Sequence, residues 1–129
     1  MKMKKTVLIG LLLAAFTMAY ADEVMKKEKD GTYIVNTTTL AQDVDGYNGP
    51  TPVEIHIKKN KIVKVVLLKS LETPKYNAQI KKNMLPLYEG QKIKKNKSVA
   101  VDGVTGATFT SDAVSENVRR GLEYYWKHK

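Results

Sequence analysis

Between Asp102 and Val114 the chain reads DGVTGATFTSDAV. Four hydroxyls (Thr105, Thr108, Thr110 and Ser111), two glycines and two aspartates share these thirteen positions. Gly103 and Gly106 let the backbone turn tightly and approach a ligand closely. Ala107 adds little bulk. A helix starting just after the turn offers unpaired N–H groups and the positive end of its dipole. The hydroxyls add donors. Such a constellation can hold an anion and suits a phosphate best. The same residues also suit a tight turn followed by a helix capped by Thr110 or Ser111. Residue types alone leave both readings open.

Other chemistries are poorly supplied. There is no cysteine, so thiol catalysis, haem thioethers and iron–sulfur clusters are excluded. The two histidines, His56 and His128, stand apart, and no His/Asp/Glu group has metal-ligand spacing. The formal charge is +9, almost all from lysine; the only arginines are Arg119 and Arg120. A lysine-rich surface solubilises. It also attracts an anionic cofactor, an acidic partner or a membrane surface. Nucleic acid is not expected as a partner, given the scarcity of arginine and the leader described next.

The first residues read MKMKKTVLIGLLLAAFTMAYADE. Lys2, Lys4 and Lys5 precede an apolar run to about Ala19. Ala19-Tyr20-Ala21 then places small residues where a signal peptidase inspects. This is the layout of a cleaved secretory signal over residues 1–21. One domain over residues 22–129 would remain, exported to the periplasm or another extracytoplasmic space.

The elements that must position the hydroxyl turn follow from local pattern. Residues 22–30 are charged and read as a flexible leader. Thr32–Thr39 is β-rich and reads as a strand. Asp43–Pro52 is a loop dense in Gly, Asn and Pro. Val53–Ser70 reads as a hairpin turning at Lys59-Asn60. Val53, Ile55 and Ile57 alternate inward, with Glu54, His56 and Lys58 toward solvent. The almost continuous apolar run from Ile62 to Leu68, broken only by Lys64, predicts a more central strand, buried on both faces. Thr73-Pro74 opens a short helix to about Met84, with Thr73 as cap and proline in its first turn. A lysine-rich loop leads to a short strand at Ser98–Val101. Val114, Val118, Leu122 and Tyr125 give one apolar face of a C-terminal helix, with Gly121 as a close-packing point. The order predicts an α+β domain: a mostly antiparallel sheet with a central hairpin, covered by a short helix and the C-terminal helix.

The segment Asp102–Ser111 resembles the flavinylation motif of the FMN-binding domain family. That motif is an Asp, two residues, Ser or Thr, Gly-Ala-Thr, one residue, then Thr or Ser. Every position is met. DGTY (Asp30–Tyr33), GYNGP (Gly46–Pro50), the hairpin and LETPKY also resemble the family's landmarks, in order. Lys75 stands where the family often has glycine. The resemblance implies FMN held by a phosphoester to Thr108, attached by a separate exported flavin transferase that takes FMN from FAD. It makes Asp102 part of what that transferase recognises. It sets Thr105, Gly106, Ala107, Thr110 and Ser111 around the cofactor, with Glu72 and Thr73 beside the ring. Tyr33, Tyr47, Tyr76, Tyr88 and Trp126 are candidates to stack on it. The implied function is an electron carrier between a membrane or exported redox partner and an acceptor, rather than a stand-alone enzyme. The alternatives are an FMN-dependent reductase of a small acceptor and a flavin-free binding module.

Overall fold

The computed structural model describes residues 23–129. The expected signal segment lies outside these residues. Four strands form one antiparallel sheet in the order β1 (Met25–Lys27), β2 (Tyr33–Asn36), β3 (Val53–Lys58) and β4 (Lys61–Leu67). Helix α1 (Pro74–Asn83), a 3-10 turn (Leu85–Tyr88) and helix α2 (Thr108–His128) follow. This is the α+β arrangement that the periodicities predict.

The hairpin forms as its sequence dictates. Lys58 pairs with Lys61, and Lys59 and Asn60 between them take φ of 52° and 57°. Positive φ at both positions matches the right-handed twist of the flanking strands. Val53, Ile55 and Ile57 are fully buried. Their outward neighbour His56 is not simply solvated: its Nε2 lies 3.2 Å from Glu54 Oε1.

Four expectations fail, each for a tertiary reason. The charged leader is partly strand: Met25–Lys27 pairs with Val35–Tyr33, and Asn36 N donates to Val24 O at 2.7 Å. Backbone pairing to a neighbour overrides a composition with little apolar pattern. Second, β4 is an edge strand and β3 the more central one. The pairing slips between His56 and Ile57, leaving Val63 without a partner and 47% exposed. This bulge turns both Ile62 and Val65 inward, so a near-continuous apolar run needs no second buried face. Third, Ser98–Val101 forms no strand. The free edge of β4 is met instead by Gly90–Lys92: Ile62 N donates to Gln91 O, and Gly90 N donates to Ile62 O. Fourth, neither helix has the expected hydroxyl cap, as described below.

The core lies between the inner sheet face and the two helices. Val114, Val118, Leu122 and Tyr125 are all buried there, with Ile80, Met84 and Tyr88 from the α1 side. Gly121 brings α2 onto β2 and β3: a Cβ at this position would stand 2.4 Å from Ile55 Cδ1 and 3.1 Å from Thr37 Cγ2. One buried polar link fixes the register. Thr37 Oγ1 donates to Asn117 Oδ1 at 2.6 Å and accepts from Val53 N at 2.9 Å.

Candidate functional site

Helix α2 begins at Thr108 itself, so Thr110 and Ser111 lie inside its first turn. The residue before it, Ala107, is buried and has no hydroxyl; no side chain caps the helix. The early N–H groups of the helix thus remain available to an outside acceptor. Gly106 takes φ of 89°, a conformation suited to glycine, and has open space around it.

The hydroxyls divide into two sets. Ser111 and Thr110 are each 1% exposed and engaged. Ser111 Oγ accepts from Val104 N at 2.9 Å, holding the turn against the helix. Gly103 fits beneath it, where a Cβ would stand 3.1 Å from Ser111 Cβ. Thr110 Oγ1 donates to Glu72 Oε2 at 2.7 Å. Thr105 and Thr108 are exposed, and Asp102 is exposed on the approach to the turn.

Glu72 organises the site from outside the motif. It is 4% exposed, yet it accepts from four donors. Tyr47 N (2.8 Å) and Thr110 Oγ1 (2.7 Å) reach Oε2; Asn48 N (3.0 Å) and Thr73 N (3.1 Å) reach Oε1. Burial pushes this carboxyl up. The bonds from Thr110, Tyr47, Thr73 and Asn48 outweigh that and leave it below its usual range. It is therefore an ionised acceptor rather than a proton donor at neutral pH. Thr73 occupies the cap position of α1 without capping it; its Oγ1 accepts from Asn48 Nδ2 at 2.9 Å instead. Gly46 is required by the same packing, since a Cβ there would stand 2.3 Å from Glu72 Oε2.

This clamp draws the 46–49 loop over the start of α2. Tyr47, Tyr76, Phe109 and Thr108 then share a shallow cavity of about 230 Å³ with Gly106 and Ala107. Tyr47 and Tyr76 meet edge to face at 5.4 Å between ring centroids, and Phe109 stands 6.4 Å from Tyr47. Tyr47 and Phe109 are 58% and 67% exposed, so aromatic surface faces solvent beside an uncapped helix start. Phosphate suits the helix end. A flat aromatic group suits the tyrosines and Phe109.

Residues 46–123 match the sequence model of a known family, the FMN-binding domain. The chain belongs to the FMN-binding domain family. No curated protein and no solved structure matches the chain.

The residues at the start of α2 fit an FMN. Its phosphate end would meet Gly106, Thr108 and the free N–H groups, and its ring would meet Tyr47, Tyr76 and Phe109. The other stacking candidates lie elsewhere. Tyr33 packs against Tyr125, Tyr88 is 1% exposed in the core, and Trp126 lies near the far end of α2. Sequence reasoning missed Phe109, Gly46 and Asn48 as site residues. Phe109 carries a readable signal: it is a large apolar residue off the Val114–Val118 stripe, with no core to enter. Among the described residues no cluster of three His, Cys, Asp or Glu could hold a metal, and no helix is long and apolar enough to cross a membrane.

Proposed function

We propose that this FMN-binding protein is an exported electron carrier whose FMN is esterified through its phosphate to Thr108. The observation that carries this reading is the division of hydroxyls at α2. Ser111 and Thr110 are buried in structural bonds, whereas Thr108 is exposed at the first position of an uncapped helix. Gly106 and the free N–H groups would hold the phosphate, and Tyr47, Tyr76 and Phe109 would flank the ring. FMN supplies reversible electron uptake and release that no side chain here provides.

The cavity favours a tether. At about 230 Å³ it is smaller than the roughly 300 Å³ at which enclosed ligand sites begin, so a freely exchanging FMN would be weakly held. A covalent bond makes the local concentration permanent, which matters outside the cell. Among the described residues no histidine, lysine or carboxylate lines the cavity, and a threonine hydroxyl is a poor nucleophile without a base. The base therefore comes from another protein. This supports a separate exported flavin transferase, with exposed Asp102 as part of its recognition address. Export rests on the signal-like residues 1–21, and the redox partner is a membrane or exported protein.

The deciding measurement is intact mass after expression in hosts with and without an exported flavin transferase. One FMN ester adduct is expected only with the transferase, and none on Thr108→Ala. An adduct that survives Thr108→Ala, or an unmodified wild-type chain from the competent host, overturns the assignment.

A further inference from the structure

The far end of α2 has a different chemistry. Asn60, at the hairpin tip, binds three lysine-bearing segments together. Its Oδ1 accepts from Tyr125 OH at 2.6 Å and from Lys129 Nζ at 3.2 Å. Its carbonyl accepts from Ile93 N at 2.9 Å. Lys59 and Lys61 on the hairpin, Lys92, Lys94, Lys95 and Lys97 on the following loop, and Lys127 and Lys129 on the helix therefore gather at one pole, all exposed. Between the loop and the helix runs a groove of about 370 Å³, with Ile93, Leu122 and Trp126 in its lining and Lys94, Lys95 and Lys97 along one side.

We propose that this pole is a docking face for an anionic phospholipid surface. The available cations decide the class of partner. Specific carboxylate recognition favours the bidentate fork of arginine. Both arginines are already committed: Arg119 to Glu116 and Glu123, Arg120 to Asp43 and Glu116. Glu123, the only carboxylate among the described residues that line the groove, is paired with Arg119 and Lys127. Among the described residues Lys59, Lys61, Lys92, Lys94, Lys95 and Lys97 make no ion pair. What remains is a spread of point charges without geometric selectivity, which matches a fluid anionic surface better than a fixed acidic motif. Trp126 supplies the amphipathic ring that such an interface favours, with Lys129 Nζ 4.6 Å from its centroid. The helix between the poles has 21 residues, about 30 Å. A chain docked this way points its Thr108 end away from the membrane. Only the use of that orientation for electron transfer rests on the flavin reading; the docking does not.

Flotation with vesicles tests it, using protein as its exporting host processes it. One set of vesicles is phosphatidylcholine alone; the other contains phosphatidylglycerol as well. Preferential binding to the anionic set is expected, lost at high salt. It should weaken about tenfold or more in Lys94→Glu/Lys95→Glu/Lys97→Glu, and less than about twofold in Lys75→Glu/Lys81→Glu/Lys82→Glu on α1, which changes net charge equally. Thr108→Ala should bind like wild type. The glutamine triple at 94, 95 and 97 repeats the comparison if charge reversal prevents folding. Equal binding to both vesicle types, equal loss in the two triples, or no vesicle binding overturns the proposal. Capture of soluble poly-glutamate in place of vesicles, through the same three lysines, overturns it in favour of an acidic protein partner.

Discussion

The two ends of α2 solve opposite problems with one helix. At the N-terminus, a buried carboxylate and two buried hydroxyls spend their hydrogen bonds on holding loops still. This leaves the hydroxyls of Thr105 and Thr108 exposed, Thr108 alone on the helix, beside a row of backbone N–H groups. At the C-terminus, Asn60 gathers the backbone with few bonds, and the side chains around it are lysines that reach into solvent. The first end is rigid and selective in geometry. The second is permissive in geometry and selective in charge. A site that must seat one cofactor needs order; a face that meets a broad surface needs only sign and area.

Substitutions can break this contrast. The largest effect expected is on modification. Thr108→Ala should abolish the FMN adduct completely while leaving urea-unfolding stability within about 0.5 kcal/mol, because the exposed hydroxyl makes no structural bond. A clearly destabilised Thr108→Ala would mean that this residue builds the turn. Next comes Glu72→Ala, which strands four donors at once. It should cost about 3 kcal/mol in the same measurement. Thr110→Ala removes one hydroxyl from that carboxylate and should cost about 1.5 kcal/mol, so hydroxyls two residues apart would differ sharply. Smallest of all, the glutamine triple at Lys94, Lys95 and Lys97 should leave stability within about 0.5 kcal/mol.

Acid sharpens the contrast further. Glu72 is held below its ordinary value in the folded chain, so its stabilisation is full above about pH 4.3 and fades as pH falls through the folded value. Glu116 behaves alike: bonds from Arg119 and then Arg120, against burial, hold it down to about 2. Unfolding free energy should therefore decline between about pH 5 and pH 2. Glu72→Gln should flatten that decline in part, since Glu116 still contributes. An unchanged slope in Glu72→Gln would remove the carboxylate from the account.

What could be read in advance was local. The hairpin was legible because Asn60 tolerates positive φ and the flanking residues alternate. The C-terminal helix was legible because its apolar positions repeat at helical period, and Gly121 because a glycine on that face needs a packing reason. The strand at Met25–Lys27 was not, since three charged or flexible-looking residues gain their conformation from β2. The depth of β4 was misjudged because a one-residue bulge mimics a doubly buried run. Hydroxyl caps were expected where hydroxyls occur near a helix start, but Thr73 and Thr110 find partners across the fold and Ser111 finds one in the preceding turn. Glu72 was expected beside the ring, but its clamp was not legible: its donors come from Tyr47 and Asn48 on one side and Thr110 on the other. The clamp exists only in three dimensions.

That clamp also bears on the order of folding. The hairpin closes across two residues, whereas the Glu72 carboxylate joins positions 25 and 38 apart along the chain. Contacts of such separation form late, once nearer ones have offset the entropy of closing the loop. The turn bearing Thr108 reaches its final shape only when the chain from Gly46 to Ser111 has come together. An enzyme that modifies this turn by its shape would, in the same act, be inspecting whether the protein has finished folding.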